Sequence, residues 1–235
     1  MCVRLPGMRY ITLLFLVFFI GCAGDSSDTN PAAPIPENFD SEEWFTFEAG
    51  PFKVPAGGER FFCYSHILEE ELWTNEIVLK SKPVVHHVVY SDAQNEDPEG
   101  FFECDALFQN NWIPLFIAGT GDASLQMPEG AGHILEKGTQ LTMQLHLLNA
   151  SGEEVNETIP MHFRRMQALP EKPVEVVVFG NTNIVLPPAE SEVVGDCDSD
   201  SDMKIFKVFP HMHLLGTSMV VETGPDEESL TEVFR

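Results

Sequence analysis

The feature that most constrains the fold is the absence, after residue 44, of any long apolar run at helical spacing. Apolar residues occur instead in short or alternating runs, which Gly, Pro, Asn and Asp interrupt. The clearest run lies at 140–149, where apolar and polar residues alternate, so that one face of a strand is apolar and the other polar. The pattern predicts an all-β, antiparallel chain with strands at 61–67, 76–79, 84–91, 140–149, 159–166, 174–179 and 204–213.

The strand pattern also suggests how the chain is divided. Residues 44–168 are long enough for a complete β-sandwich of about 100 residues. A proline-rich stretch at 167–173 has the composition of a stiff linker. Residues 169–235 offer only a few strands, which would bury too little surface alone. Either these strands complete the sheets of the first domain, or the chain is a fragment. We expect the second case, a complete first domain and a second domain that is incomplete in this chain.

The amino terminus has the pattern of an export signal at 1–21. Arg4 and Arg9 precede an apolar stretch at 11–20, which is shorter than the roughly 20 residues that a spanning helix needs. Residues 19–22 resemble a bacterial lipobox, which predicts lipidation of Cys22 and a flexible tether at 22–43. The prediction is an exported protein anchored to the membrane by lipid, the alternative being an ordinary signal peptide with an incidental cysteine.

Charge and cysteine content narrow the class further. Acidic residues outnumber basic ones by 37 to 13, and the formal charge of -24 disfavours nucleic acid as a partner. After Cys22 three cysteines remain, at Cys63, Cys104 and Cys197. Because disulfides persist in exported proteins, an odd number predicts that one cysteine is unpaired within this chain. It is either a buried free thiol or a residue whose partner lies outside this sequence.

The histidines are the main candidates for chemistry. His211 and His213 are two positions apart, so on a strand both rings point to one face and could coordinate one metal ion. His86 and His87 are consecutive, and one ion can take both only where the strand bends, bulges or ends. His146 could supply a third nitrogen to that pair.

Three further histidines lack such a setting. We expect His66 at a strand end, His133 in a loop and His162 on a strand, each making ordinary hydrogen bonds.

Taken in order, three histidine motifs are similar to those of the copper type II ascorbate-dependent monooxygenases, the family of peptidylglycine alpha-hydroxylating monooxygenase and dopamine beta-monooxygenase. They are His86-His87-Val88-Val89-Tyr90, then Gln144-Leu145-His146, then His211-Met212-His213-Leu214-Leu215-Gly216. The similarity extends over most of residues 61–216. Each motif is weak alone, but their joint order and spacing are specific.

The resemblance implies two β-sandwich domains of jelly-roll type and two copper ions. His86, His87 and His146 would hold the electron-supplying copper, supported by Gln144 on the same strand face as His146. His211 and His213 would hold the copper that binds O2 and attacks a C–H bond of a small-molecule or peptide substrate, with ascorbate as reductant. Two or three protein ligands leave a coordination position open on the copper ion, and this chemistry needs such a position for O2 or substrate.

The sequence also departs from this family. The methionine ligand of the second copper is expected after Arg235, as is the partner of Cys197, while Cys63 and Cys104 could pair with each other. Two other functions therefore stay open: a non-catalytic copper-binding or copper-buffering lipoprotein, and a zinc hydrolase that uses His86, His87 and His146. The latter lacks a nearby Glu with an evident role as base.

Overall fold

The computed structural model describes residues 34–104, 109, 111–177, 185–199, 203–210 and 216–235. These residues contain strands and no helix, which confirms the all-β prediction. The strands are β1 (Trp44–Val54), β2 (Glu59–Ile67), β3 (Leu72–Leu79), β4 (Val85–Asp92), β5 (Gly100–Glu103), β6 (Ile113–Ala118), β7 (Ala123–Gln126), β8 (Ala131–Leu135), β9 (Gln140–Leu148), β10 (Val155–Arg165), β11 (Lys172–Pro173), β12 (Val221–Thr223) and β13 (Thr231–Phe234).

Two large sheets account for the strands up to β11. One has the order β1-β10-β3-β8-β11, with β7 also paired to β3, and the other has the order β5-β2-β9-β4-β6. Their pairings are antiparallel, except that β11 runs parallel to β8. Phe47 and Phe163 of the first sheet and Leu145 of the second belong to one buried apolar cluster. The sheets therefore pack face to face as a sandwich.

Strand β9 lies at the centre of the second sheet and follows the predicted alternation. Leu141, Met143, Leu145 and Leu147 are all 0% exposed and face the core between the sheets. The polar face of the strand is also covered, since Gln144 is buried there. Beside it a second apolar cluster forms around Cys63, Val89, Ala93 and Trp112. Burial on both faces makes β9 a rigid support for any side chain that it carries.

Two strand predictions are wrong where the structure describes them. Residues 174–177 and 204–210 have no regular secondary structure, although both runs are rich in apolar residues. Val177, Ile205 and Phe206 are 37%, 46% and 42% exposed. Alternation alone does not make a strand, because the backbone also needs a neighbouring strand to pair with. Further along, β12 and β13 pair only with each other within the described residues.

The predicted linker at 167–173 lies partly against the first sheet. Within it, β11 runs beside β8, and the Lys172 amide donates to the Gly130 carbonyl oxygen at 3.0 Å. The next residue after β11, Val174, donates its amide to the Gly132 carbonyl oxygen at 2.9 Å. The predicted domain division at residue 168 stays a prediction.

The cysteines give one agreement and one correction. Cys63 on β2 and Cys104 form a disulfide, as the sequence allowed, and this bond is compatible with an exported protein. Cys197 is disulfide-bonded too, so the prediction of an unpaired thiol is wrong. That prediction counted only the three cysteines after Cys22, whereas the chain has five. No helix long and apolar enough to cross a membrane occurs in the described residues.

Candidate metal centre

A β-bulge in β4 lets two consecutive histidines reach one point. In the pairing of β4 with β9, Val85 stands opposite Leu147 and His87 stands opposite His146. Two steps along β4 thus match one step along β9, and His86 is the extra residue. A regular strand would send neighbouring rings to opposite faces. The bulge is the local distortion that a shared site for His86 and His87 requires.

The ring nitrogens of His86, His87 and His146 converge. The Nδ1 atoms of His146 and His87 are 3.2 Å apart, and those of His86 and His87 are 3.5 Å apart. Candidate ligand atoms from all three residues lie within 4.8 Å of one another. Metal–imidazole bonds of 2.0–2.1 Å place the nitrogens of a tetrahedral or trigonal site about 3.3 to 3.6 Å apart. The three histidines could therefore hold a metal ion.

Burial keeps the rings of His87 and His146 neutral. Burial, with help from neighbouring His146 and His86, lowers the pKa of His87 to about 3. Burial also lowers the pKa of His146, although its hydrogen bond to Glu59 works in the opposite direction. A neutral imidazole keeps one nitrogen lone pair, which a metal needs and a proton would block. Both rings are thus in the state that binds metal at neutral pH.

Two neighbours on β2 fix the surroundings of His146. Phe61 stands opposite His146 across the β2–β9 pair and stacks on its ring, with centroids 4.2 Å apart and planes at 12°. The Nε2 atom of His146 lies 2.6 Å from Oε1 of Glu59. Neither residue was predicted from the sequence, because each lies more than eighty positions before His146. The register between β2 and β9 is the signal that would have identified them.

The remaining predicted site residues are placed as follows. Gln144 lies two residues before His146 on the same face of β9 and is 2% exposed. His211, His213 and the predicted lipidation site Cys22 lie outside the described residues.

The other described histidines have structural contacts elsewhere. His66 lies next to the last residue of β2, as predicted, and its ring packs near Phe47 with centroids 5.8 Å apart. On β10, His162 shares a hydrogen bond with the Thr46 hydroxyl through Nδ1 at 2.9 Å, in agreement with an ordinary hydrogen-bonding role. The loop prediction for His133 is wrong. His133 lies within β8, where its side chain is 4% exposed and its Nδ1 donates a hydrogen bond to the Val174 carbonyl oxygen.

The structure brings three or more His, Cys, Asp or Glu side chains close enough to share an ion at one place among the described residues. That group is His86, His87 and His146. Comparison with known proteins adds no family to this geometry. No protein-family model matches the chain, and a search of curated proteins found no match.

Proposed function

We propose that the protein is an exported copper monooxygenase of the type II ascorbate-dependent kind, in which His86, His87 and His146 hold the electron-supplying copper. The observation that carries the proposal is the convergence of three imidazoles at the β4 bulge. Maintaining two consecutive histidines at a bulge, with Nδ1 atoms 3.2 and 3.5 Å apart, has no evident use in packing alone. A shared metal ion explains it.

The choice of copper rests on the motif order together with the donor set. Three imidazoles suit copper or zinc equally well. The order of the His-His, Gln-x-His and His-x-His motifs favours copper over zinc. The same resemblance is the basis for proposing a second copper at His211 and His213, a methionine ligand, O2 as substrate and ascorbate as reductant. Lipid anchoring through Cys22 belongs to the same proposal. When bound, copper would supply one electron at a time by cycling between Cu(I) and Cu(II).

The surroundings of the site count against a zinc hydrolase. Such an enzyme needs a general base within reach of a metal-bound water. Glu59 is a carboxylate beside the cluster, but it bonds Nε2 of His146, the ring nitrogen that does not face His87. Its position suits the support of a ligand better than proton abstraction at the ion.

The chain's own residues would perform three tasks in the proposed enzyme. His87, which is 8% exposed, provides a neutral donor from inside the sheet. His146 provides a second donor from a strand that is hydrogen-bonded on both sides. Phe61 covers one face of the His146 ring and so limits the access of water to it.

Copper titration tests the proposed ligand set. The purified chain, stripped of metal and titrated with Cu(I) against a chromophoric competitor, should lose one equivalent of tightly bound copper on His146→Ala or His87→Ala. The matched control is His66→Ala, which removes a partly buried histidine from the same sheet and should leave the stoichiometry unchanged. Equal stoichiometry in wild type and His146→Ala would remove the assignment, and binding of zinc in preference to copper would favour the hydrolase.

Turnover distinguishes an enzyme from a copper buffer. In an enzyme, ascorbate oxidation and O2 uptake should rise together when a small-molecule or peptide substrate is added, with one oxygen atom of O2 recovered in the product. A buffering protein would bind copper with the same ligands but form no hydroxylated product. Mass spectrometry of reactions run under ¹⁸O2 is the deciding measurement.

A further inference from the structure

We infer that Glu59 is a positioning residue that holds His146 with its Nδ1 atom toward the metal. The inference rests on the metal site proposed above. Its starting point is the contact of 2.6 Å between Oε1 of Glu59 and Nε2 of His146. An ionised carboxylate can only accept a hydrogen bond, so Nε2 is the nitrogen that carries the proton. In a neutral ring the lone pair then lies on Nδ1.

The Nδ1 atom is the one that faces the other histidines. It lies 3.2 Å from Nδ1 of His87, whereas Nε2 points to Glu59. A proton on Nε2 therefore leaves the free lone pair where the three rings converge. The opposite tautomer would place a hydrogen there and would lack a donor for Glu59.

Phe61 cannot perform this selection. Its ring stacks on His146 at 4.2 Å with an angle of 12° between the planes, and so it fixes the plane of the imidazole. A rotation of 180° about the Cβ–Cγ bond leaves that plane unchanged but exchanges Nδ1 with a ring carbon. Stacking is almost indifferent to this exchange. The hydrogen bond to Glu59 distinguishes the two orientations, because only one of them presents Nε2 to the carboxylate.

The carboxylate also acts on the electronic properties of the ring. A carboxylate that accepts from the outer nitrogen of a metal-bound histidine makes the inner nitrogen a stronger donor. Negative charge near the site stabilises Cu(II) more than Cu(I). Loss of the Glu59 carboxylate should therefore raise the Cu(II)/Cu(I) reduction potential. The side chain of Glu59 is 57% exposed, and solvent screening keeps the effect moderate.

The first test needs no metal. In ¹⁵N-labelled apoprotein, the two-bond ¹H–¹⁵N couplings of His146 should show one tautomer, protonated at Nε2, and Glu59→Ala should give a mixture. Glu59→Gln keeps an oxygen acceptor without the charge and should preserve the single tautomer. Glu48→Ala is the control, because it removes an exposed carboxylate from β1 in the other sheet. A single Nε2–H tautomer in Glu59→Ala would overturn the inference.

The second test measures copper directly. We expect Glu59→Ala to weaken Cu(I) binding by about tenfold, at the low end of the range for supporting residues, and to raise the potential. Glu59→Gln should raise the potential with a smaller loss of affinity, and Glu48→Ala should change neither. Wild-type affinity and potential in Glu59→Ala would overturn the role of Glu59 and leave the metal site intact. Absence of copper binding by the wild type would instead overturn the metal site, whatever the tautomer experiment shows.

Discussion

His87 on β4 and His146 on β9 stand directly opposite each other, and their Nδ1 atoms lie 3.2 Å apart. Their strands are neighbours in the five-stranded sheet, and each also pairs with another strand on its far side. The distance between the two donors is therefore set by the sheet backbone and not by a flexible loop. An ion that they hold is coupled to the integrity of the sheet.

This coupling predicts that copper stabilises the folded protein. At a free Cu(I) concentration one hundred times the dissociation constant, the free energy of unfolding should rise by about 2.7 kcal/mol. Thermal unfolding under anaerobic conditions measures the effect, and addition of a strong chelator should reverse it. In His146→Ala the copper-dependent rise in Tm should disappear, while His66→Ala should keep it. A rise of equal size in His146→Ala would place the stabilising ion elsewhere.

Phe61→Ala should affect both stability and copper affinity. The substitution removes the ring that stacks on His146, and because Phe61 is only partly buried we expect a loss of about 1 to 2 kcal/mol in unfolding free energy. Copper affinity should fall as well, since water gains access to a ligand ring. Phe101→Ala, which removes a 51% exposed ring from β5 of the same sheet, should leave copper affinity unchanged. Equal copper affinities for Phe61→Ala and wild type would contradict the shielding role.

Much of the second sheet was predictable because its strands bury one apolar face. The alternation at 140–149 predicted β9 and its core-facing residues, which are all 0% exposed. In the first sheet, Phe45, Phe47 and Ala49 of β1 alternate in the same way, although no strand was predicted there. The runs at 174–177 and 204–210 have apolar residues but belong to no strand pair in the part of the chain that the structure describes, and composition does not report on pairing.

The sequence predicted which three histidines converge, but not the residues that surround them. His86, His87 and His146 were identified from motifs, and the bulge was expected only as a condition for sharing an ion. Glu59 reaches His146 through the register of β2 against β9, which depends on the whole sheet. Sequence patterns within one segment contain no information on that register.

Buried His133 should make stability depend on pH. Burial lowers the pKa of this histidine to about 4 from 6.5, so above pH 6.5 it is neutral in both the folded and the unfolded chain. As the pH falls below that point the unfolded chain binds a proton first, and the free energy of unfolding decreases until the folded form is protonated too. The total loss is about 3 kcal/mol.

Urea denaturation between pH 7 and pH 4 tests this prediction. His133→Gln keeps a side-chain donor for the Val174 carbonyl oxygen but cannot titrate, so its unfolding free energy should fall less steeply than that of the wild type. Burial also lowers the pKa of His162 to about 4, so this residue contributes equally to the pH dependence of the unfolding free energy in wild type and in His133→Gln. Identical pH slopes for wild type and His133→Gln would show that His133 is not a source of the dependence.

Asp97→Ala should destabilise the fold without removing the metal site. Oδ2 of Asp97 accepts hydrogen bonds from Nε1 of Trp112 at 2.7 Å and from the Thr142 hydroxyl at 2.8 Å, while Oδ1 accepts from Nδ2 of Asn111 at 3.0 Å. Trp112 is 3% and Thr142 is 1% exposed, so water cannot readily replace the lost acceptor. We expect a loss of about 2 to 3 kcal/mol in unfolding free energy.

The location of Asp97 makes the prediction specific. The side chain of Asp97 contacts β9 at Thr142, four residues from His146, and its backbone bonds the side chain of Gln140, which lies farther still from His146 along the strand. Copper stoichiometry should therefore stay at the wild-type value. Glu99→Ala is the matched control, because it removes an exposed carboxylate two residues away and should change stability by less than about 0.5 kcal/mol. Urea denaturation and Cu(I) titration of the same preparations give both readouts. Loss of copper binding by folded Asp97→Ala would mean that the hydrogen bonds of Asp97 over the polar face of β9 also position the histidines. An unfolding free energy equal to that of Glu99→Ala would show that the three hydrogen bonds make no net contribution to stability.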